Sequence, residues 1–270
     1  MTNIAVIILT KNEKLHIGRC LKKLASLVAK QIFVVDCFSD DGTQEIAKQN
    51  GAIVVEHEWP GIHAKQFNWA LDNLTIQTKW VLRMDADEYL TDETIEHLKS
   101  DLESLPNDIT GLKIELKRKF QGEEIRHGTT GIRLARIFRF GIGRCEDKAM
   151  DEHIVVTQGR IIDYDGAFYD DSLMPFEAWK EKHRGYAKRE ARMAVTGKMN
   201  KNKVVYYKLP PYFRAFFYFC IRYFLKLGFL DGLVGFRWHF WQGLWYRCLV
   251  DREIGRMKRG NELKSEAHSG

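Results

Sequence analysis

The sequence predicts an α/β fold in which a mostly parallel sheet is flanked by helices. Three observations predict it. Continuous apolar runs recur along the first hundred residues, as in strands that are covered on both faces. Segments with apolar residues at helical spacing separate these runs. The runs end in polar or acidic residues, which is typical of the carboxyl ends of parallel strands.

The first ninety residues follow β-α order. Residues 3–9 predict the first strand, and a helix follows whose apolar face consists of Ile17, Leu21, Leu24 and Val28. Residues 31–36, 52–56 and 79–85 predict three more strands, and residues 64–76 predict the helix before the last of them. Because connections of this kind are right-handed crossovers, the strand ends should share one edge of a Rossmann-like sheet.

Beyond residue 90 the pattern changes. Residues 111–120 alternate apolar and charged side chains, which indicates a half-exposed strand. Residues 132–140 and 153–164 also predict strands, with a turn at 157–159. After about residue 175 the sequence is typical of helices. We therefore expect one domain at 1–170, with halves at 1–90 and 91–170, and a helical extension at 171–270.

Composition and charge narrow the class of protein. A chain of 270 residues with 45% hydrophobic and 29% charged residues is not globally disordered. The net charge of +6 favours anionic partners, but the basic residues are spread along the chain, which argues against nucleic acid. The five cysteines show no C-x-x-C pair and predict reduced thiols in a cytosolic protein. The N-terminal apolar run is too short for a signal peptide.

Three acidic residues, Asp85, Asp87 and Glu88, follow the fourth predicted strand. An isolated pattern of this kind favours a solvated turn that caps a helix beginning near Thr91 or Asp92. At the carboxyl edge of a β-α-β-α sheet it favours a site for Mg²⁺ or Mn²⁺, because these cations take few protein oxygens and complete their shell with water and phosphate oxygens. A diphosphate is the natural second half of such a site.

Four motifs in order carry a resemblance to a known family. They are "VIILTKNE" at 6–13, "VVDCFSDDGT" at 34–43, "HAKQFNWAL" at 63–71 and "LRMDADE" at 82–88. Their order and spacing over about residues 1–90 resemble inverting family-two glycosyltransferases of the GT-A fold. Within that family the chain resembles small bacterial enzymes that extend lipopolysaccharide core or lipid-linked glycans.

The resemblance implies that residues 1–90 hold a nucleotide-sugar and that 91–170 supply the acceptor site and the base. The donor-binding residues that it implies are Thr10, Asn12, Glu13, Asp36, Asp41, Lys65, Asn68, Asp85 and Arg136. The resemblance implies that Asp87 is the direct metal ligand and that Asp85 contacts the ribose, or the metal through water. His153 is implied as a further metal ligand, and Glu88 is predicted to be a support or cap.

Several alternatives remain open for these residues. Asp36 can instead be a strand-end turn former, and Lys65 can lie on a solvated helix face. His153 can have a structural polar role, and Arg133 can contact phosphate in place of Arg136.

The base is expected in "KAMDEHIVV" at 148–156. An inverting transfer needs a carboxylate to deprotonate the acceptor hydroxyl. Asp151 is the predicted base and Glu152 is the close alternative. Neighbouring side chains on an extended segment alternate in direction, so only one of the two is expected to point into the site.

The segment 210–250 is basic and aromatic. Charged residues interrupt every window of about twenty residues, so it does not predict a membrane span. Gly228, Gly232 and Gly235 predict two helices with a bend between them. The segment can pack on the catalytic domain, form an oligomer interface, or lie on anionic lipid; Tyr and Trp beside Arg and Lys favour lipid. We therefore expect a membrane-associating helical extension.

Together these observations predict a metal-dependent inverting glycosyltransferase that adds one sugar to a lipid-linked saccharide. The expected partners are a nucleoside-diphosphate sugar, with uridine as the family's commonest base, and an anionic membrane surface on the cytoplasmic face; an oligomer is also compatible. Processive synthases of the family carry Gln-x-x-Arg-Trp, whereas "WQGLW" at 241–245 lacks the Arg.

Two other classes of protein fit the sequence less well. A sugar-nucleotide-forming nucleotidyltransferase normally has a Gly-rich loop with a Lys after its first strand, which "LTKNEK" at 9–14 lacks. A non-catalytic membrane adaptor has no need for acids at both 85–87 and 151–152.

Overall fold

The computed structural model describes residues 1–129, 131–147, 153–196 and 206–266, with 260–266 as backbone only. The chain divides into two compact units. The first consists of residues 1–122 and 131–173, and the second of residues 123–130 and 174–270. The excursion of 123–130 into the second unit is a feature that the sequence did not predict.

The first unit is built on a twisted mixed sheet. Its strands are β1 (Thr2–Thr10), β2 (Ala29–Asp36), β3 (Ile53–Glu56), β4 (Trp80–Asp85), β5 (Glu88–Leu90), β6 (Ile109–Phe120), β8 (Arg133–Arg139) and β11 (Arg160–Asp171). A separate antiparallel pair consists of β9 (Gly143–Cys145) and β10 (Ile154–Val156). The helices are α1 (Ile17–Ala25), α2 (Thr43–Gln49), α3 (His63–Asn73) and α4 (Asp92–Asp101).

The sheet has the order β3-β2-β1-β4-β8-β6-β11-β5. Its first four strands are parallel to one another, and β6 is parallel to β11. In contrast, β8 runs antiparallel to both of its neighbours, and β5 runs antiparallel to β11. The predicted α/β class with a Rossmann-like half is confirmed, but the strands after residue 90 make the sheet mixed.

Both faces of β1 are buried, which explains its unbroken apolar run. Ile4, Val6 and Ile8 pack into one core together with α1, whereas Ala5 and Ile7 pack into a second core together with α3. Because side chains alternate along a strand, a strand with a core on each side must be apolar at every position. The layers are therefore helix, sheet and helix in this half of the unit.

Some predicted boundaries differ in the structure. Helix α1 ends at Ala25, and Val28 lies beyond it, exposed, in the left-handed backbone region with a φ of 50°. The turn at 157–159 does not make a hairpin, because β10 pairs with β9 while β11 pairs with β6 and β5. Helix α4 begins at Asp92 as predicted, and the Thr91 side chain accepts a hydrogen bond from the Thr94 N–H as its N-cap.

The second unit is mainly helical. After the short strand β7 (Glu123–Ile125) come α5 (Phe176–Val195), α6 (Phe213–Cys220), α7 (Gly232–Trp238) and α8 (Tyr246–Glu266). A π-helical turn at Ile221–Leu225 and a 3₁₀ turn at Gly228–Asp231 connect α6 to α7, and a π-helical segment at His239–Trp245 leads into α8. The bend predicted from the glycines lies at these turns.

Buried charges hold the second unit together. Arg214 of α6 forms a buried ion pair with Asp251 of α8. Glu190 of α5 accepts a hydrogen bond from the Tyr246 hydroxyl at 2.7 Å and pairs with Arg247 at 2.9 Å. These contacts fasten α5 and α6 to α8 around a small apolar core.

In the parts of the chain that the structure describes, no helix is long and apolar enough to cross a bilayer. All five cysteines are free thiols, as predicted.

Candidate active site

The parallel half of the sheet brings its strand ends to one edge. Thr10 at the end of β1 lies beside Asp36 of β2, and Leu9 lies beside Asp85 of β4. The chain passes from β1 to β2 and β3 on one side and returns to β4 on the other, so the strand order reverses at β1. Open α/β sheets bind ligands at such a switch point, outside the carboxyl ends of the strands.

Asp36 is a fully buried carboxylate at this edge. Its Oδ2 accepts hydrogen bonds from the Thr10 hydroxyl at 2.7 Å and the Ser39 hydroxyl at 2.6 Å. Its Oδ1 accepts from the Ser39 N–H at 2.7 Å and from Gln44 Nε2 at 2.8 Å. These bonds compensate for the loss of water around the charge. Asp36 therefore fixes the end of β1 to the loop after β2.

The loop after β1 continues this attachment. The Asn12 N–H donates to the Ser39 hydroxyl at 2.8 Å, and Asn12 Oδ1 accepts from the Asp40 N–H at 3.1 Å. Asn12 has a φ of 55°, in the left-handed region that Asn tolerates better than most residues. Lys11 Nζ donates to the Phe38 carbonyl at 2.7 Å. The two loops thus form one hydrogen-bonded wall.

Asp41 closes the same wall. Its carboxylate accepts from the Lys14 N–H at 3.0 Å and from the N–H and hydroxyl of Thr43 at 3.0 and 2.5 Å. The Thr43 hydroxyl in turn accepts from the Glu13 N–H at 2.8 Å. Partial burial raises the pKa of Asp41, but the hydrogen bonds from Thr43 and Lys14 outweigh it, so the pKa is lowered. The carboxylate is therefore held ionised.

Glu13 also orders a buried histidine. Glu13 Oε2 lies 2.5 Å from Nδ1 of His16, and the Leu173 N–H donates to His16 Nε2 at 3.0 Å. Because Nε2 accepts this hydrogen bond, the ring proton lies on Nδ1 and is donated to Glu13. The contact ties the start of α1 to the end of β11.

The three acids after β4 have different surroundings. Glu88 is buried, accepts from the Asp85 N–H at 2.9 Å and forms an ion pair with Arg136. Burial raises the pKa of Glu88; Arg136 opposes this, whereas Asp85 and Asp87 add to it. The Asp85 carboxylate is 40% exposed and lies 3.8 Å from Arg136. The acids thus divide into a buried support and two carboxylates that solvent reaches.

The backbone of Asp87 is hydrogen-bonded to the end of β11 and to α1. Its carbonyl accepts from the Asp171 N–H at 3.1 Å and from Arg19 at 3.4 Å. Arg19 also pairs with the Asp171 carboxylate at 2.8 Å, which accepts from the Tyr89 hydroxyl at 3.2 Å. Sequence reasoning missed Arg19 and Asp171, because their partners lie far away in sequence and no local pattern marks them.

Two predicted donor residues of α3 lie in different surroundings. Lys65 is exposed. The Asn68 side chain donates to the Cys145 carbonyl at 2.9 Å and accepts from the Cys145 N–H at 3.0 Å, so both ends of its amide hold β9 against α3. Arg136 is likewise engaged within the fold: it is buried, pairs with Glu88 and lies over the Phe168 ring, 4.8 Å from its centroid.

The predicted bases Asp151 and Glu152 lie outside the described residues. His153 is described and is exposed, and its carbonyl accepts from the Glu146 N–H at 2.9 Å. Among the residues that the structure describes, no three His, Cys, Asp or Glu side chains form a group that could hold a metal ion. Asp85, Asp87 and His153 are therefore not brought together as the three-ligand set that the resemblance implies.

The remaining donor set still fits Mg²⁺ or Mn²⁺. Asp85 and Asp87 are partly exposed residues at the switch point, and the Asp85 side chain is 40% exposed, whereas the carboxylate of Glu88 contacts Arg136 and the Asp85 N–H. These cations are commonly bound by one or two carboxylates together with waters and phosphate oxygens. The chemistry of the two aspartates is thus sufficient for a cation that arrives with a diphosphate.

Comparison with known proteins adds sequence relatives. The family model described as glycosyl transferase family 2 matches residues 5–157. An uncharacterized glycosyltransferase of Rickettsia felis is 35% identical over 99 residues, which are 37% of this chain and 34% of the relative. One of Rickettsia typhi is 34% identical over 99 residues, 37% of this chain and 32% of the relative. The matched segment thus spans about a third of the length of these relatives.

Two solved structures are similar to this chain over most of its length, at low sequence identity. S. aureus TarS (residues 1–349) has a TM-score of 0.46 at 15% identity, over 94% of this chain and 91% of that one. The mannosyltransferase PcManGT from Pyrobaculum calidifontis, in complex with GDP-Man and Mn²⁺, has a TM-score of 0.45 at 15% identity, over 98% of this chain and 79% of that one.

Proposed function

The chain belongs to glycosyl transferase family 2, and from this premise we propose that it transfers one sugar from a nucleoside-diphosphate sugar to a hydroxyl group. The transfer proceeds with inversion at the anomeric carbon and uses Mg²⁺ or Mn²⁺. The donor is proposed to carry uridine, the base that the resemblance favours.

One observation carries the proposal. Asp85 and Asp87 lie at the carboxyl end of β4, next to β1, where the strand order reverses. A buried ion pair of Glu88 and Arg136 lies beside them, with Arg136 3.8 Å from the Asp85 carboxylate, and Glu88 also binds the Asp85 N–H. Two accessible carboxylates on a buried support suit a divalent cation that is shared with a diphosphate better than a solvated turn.

The wall of the two loops is proposed to bind the nucleoside. Thr10, Asn12, Glu13, Asp36 and Asp41 build this wall, and their side chains are largely bonded to one another. Their proposed role is thus to fix the shape of the pocket, with backbone groups and side-chain edges left to meet base and ribose. Exposed Lys65 is proposed to add positive charge toward the diphosphate, whereas Asn68 and Arg136 act by holding β9 and the acidic turn in place.

The chemistry follows from the charge that develops in the reaction. As the bond between the sugar and the diphosphate breaks, negative charge grows on the leaving oxygen, and a cation held by Asp85 and Asp87 would stabilise that charge as a Lewis acid. The acceptor hydroxyl attacks from the opposite face and must lose its proton to a carboxylate. Asp151 remains the proposed base, with Glu152 as the alternative.

The acceptor is proposed to be a lipid-linked saccharide that is met at the cytoplasmic face of a membrane. The resemblance to enzymes of lipopolysaccharide core and lipid-linked glycans supports this proposal. The exposed apolar side chains of the second unit also support it, because they offer a surface for lipid.

The test replaces one carboxylate at the site. Asp87→Asn keeps the size of the side chain but removes its charge, so it should abolish the Mn²⁺-dependent rise in melting temperature with UDP or a UDP-sugar. The matched control is Asp92→Asn, which removes an exposed carboxylate five positions away, 3.3 Å from Lys23. The control should behave as the unaltered protein.

Turnover is measured on the same variants with a panel of UDP- and GDP-sugars. Loss of metal-dependent binding and of sugar transfer in Asp87→Asn alone supports the proposal. Unchanged transfer by Asp87→Asn would show that the metal site lies elsewhere.

A further inference from the structure

The second unit exposes an unusual number of large apolar side chains. Twelve of them lie in the short stretch 209–236 and are each more than 40% exposed. They are Leu209, Tyr212, Phe213, Phe216, Phe217, Phe224, Leu225, Leu227, Phe229, Leu230, Leu233 and Phe236. We call this set the apolar face.

The area of this face exceeds what a water-exposed surface normally carries. If a fully exposed phenylalanine presents about 200 Å² of surface, the six partly exposed phenylalanines of this set together present roughly 600 Å² of apolar surface. The largest apolar patch of a typical monomer is about 300–600 Å² in total. Ring contacts join its centre, since Tyr223 lies 5.1 Å from Phe224, 6.3 Å from Phe229 and 5.8 Å from Phe236, between ring centroids. A face of this size needs an occupant.

The most exposed part is a tip between α6 and α7. Leu225 is 77% exposed and Leu233 is 66% exposed, and both lie next to the turns that reverse the chain. The tip is hydrogen-bonded to residues 126–128 of the same unit. Asp231 accepts from the Arg126 and His127 N–H groups at 3.0 and 2.9 Å and from His127 Nδ1 at 2.6 Å, and the Gly128 N–H donates to the Lys226 carbonyl at 2.9 Å. The leucines are thus presented by a fixed turn.

The charges around this face identify the occupant. Residues 208–250 contain a single carboxylate, Asp231, and its side chain is only 4% exposed because it is bonded to His127. Lys208, Lys226 and Arg237 of the same stretch are exposed. A second copy of this chain would bring basic groups against basic groups in a two-fold contact. Anionic lipid headgroups complement them, and the acyl region accepts the leucines and phenylalanines.

We infer that the apolar face is a membrane-insertion surface, in which Leu225, Leu233 and their aromatic neighbours enter one leaflet of an anionic bilayer while Lys226 and Arg237 contact its headgroups. This deepens the proposed function and rests on it for its purpose, because a lipid-linked acceptor is presented at such a surface. The binding itself is measurable without any sugar transfer.

The experiment is flotation of the full chain with vesicles of phosphatidylcholine alone or with added phosphatidylglycerol. Leu225→Glu with Leu233→Glu places two carboxylates in the tip and should reduce the partition coefficient on anionic vesicles at least about tenfold, since each buried leucine contributes at least that factor. The matched control is Ile53→Glu with Val155→Glu, which makes the same changes at side chains that are 49% and 43% exposed in the first unit. The control should bind vesicles as the unaltered chain does.

A second pair of substitutions separates insertion from charge. Lys226→Glu with Arg237→Glu should remove the preference for anionic over neutral vesicles. About 0.5 M salt should likewise weaken the binding of the unaltered chain to anionic vesicles, because salt screens its charges. Unchanged vesicle binding by the leucine variant would overturn the inference. So would light scattering that finds a dimer of the unaltered chain, a monomer of the leucine variant, and no vesicle binding by either.

Failure of the proposed function is distinguishable from failure of this inference. The leucine variant should keep the full melting-temperature rise with UDP and Mn²⁺, because its substitutions lie in the other unit. If the unaltered chain binds vesicles but no nucleotide, the membrane surface stands and the donor assignment falls.

Discussion

At the scale of single residues, burial decides which acid of the turn at 85–88 is accessible. Glu88 is closed off by Arg136 and the Asp85 N–H, whereas the Asp85 carboxylate remains 40% exposed. Glu88 was predicted as a support or cap, but its partner Arg136, which lies 48 positions later on β8, was not predicted. The support and the accessible carboxylates therefore have different expected responses to substitution.

Arg136→Met should destabilise the protein by about 3–5 kcal/mol, because it leaves a buried carboxylate without its cation. Combining it with Glu88→Gln removes both charges, so the double variant should be more stable than Arg136→Met alone. Urea unfolding at neutral pH measures the free energy of unfolding of the single and the double variant. Arg144→Gln is the control: its bidentate pair with Asp72 is about half exposed, so its removal should cost at most about 1 kcal/mol. A double variant no better than the single one would contradict the buried-pair argument.

The base assignment is tested at the same scale. Asp151→Asn should lower kcat by about 10²–10⁴-fold, because the acceptor hydroxyl loses its proton acceptor, while the donor still binds. Glu152→Gln serves as its matched comparison. Steady-state kinetics together with UDP binding distinguish the two, and a large kcat loss in Glu152→Gln alone would move the role by one position.

The residues that could be predicted from sequence are those whose role depends on local position. Asp85 and Asp87 follow an apolar run, and the end of a buried strand defines their place at the sheet edge. Asn68 and Arg136 were predicted as phosphate-side contacts, but the fold gives them protein partners 77 and 48 positions away. A single sequence shows that such polar residues are present, but it does not show which distant group each of them contacts in the fold.

At the scale of elements, β1, β4 and the second half of β2 were predictable because both of their faces are buried. The edge strand β3 was predictable from its short apolar run alone, since it is partly exposed along its length. The alternating pattern of 111–120 likewise matches β6, which is buried on one face. The short strands β5, β7 and β9 have only three residues each and were not predicted, since no period can be read from so few positions. Their place depends on their pairing partners.

Helix α5 carries a pH-sensitive contact with the segment before α8. His183 is buried, lies 2.8 Å from the Trp179 carbonyl through Nδ1 and 2.9 Å from Gln242 through Nε2. Burial lowers the pKa of His183 from 6.5 to about 4. The unfolded chain therefore holds more protons between these two values, and stability falls as the pH drops through that window. Burial and Arg222 lower the pKa of His239 to about 4 as well, so it contributes in the same direction.

His183→Gln should reduce this acid sensitivity. Between pH 7 and pH 5 the unaltered protein should lose up to about 2 kcal/mol through His183, and the variant should lose that much less. Urea unfolding at the two pH values measures the difference. His97→Gln is the control: His97 is partly exposed and its pKa is raised by the hydrogen bond to the Asp165 carbonyl, so its removal should not reduce the acid sensitivity. Equal losses in His183→Gln and the unaltered protein would contradict the assignment.

At the scale of the whole molecule, the proposed donor site and the apolar face belong to different units, so we expect ligand effects to be local. The wall of the donor site is held by side chains that bind loop amides: Asn12 N–H on Ser39, Glu13 N–H on Thr43 and Lys14 N–H on Asp41. Such amides exchange with solvent through local openings of the loops. A ligand that binds only the closed wall suppresses these openings.

Hydrogen exchange of the full chain with UDP and Mn²⁺ should therefore slow at 11–16, 37–43 and 85–88. At a ligand concentration of about 100 times Kd, amides that need the open wall should exchange roughly 100-fold more slowly. EDTA should reverse the effect, because the nucleotide then loses the cation shared with Asp85 and Asp87. The Asp87→Asn variant should show no ligand-induced slowing of exchange, whereas the Asp92→Asn control should show the same slowing as the unaltered chain. Metal-dependent protection that appears instead at 224–233 would place the nucleotide in the second unit and contradict the proposed site.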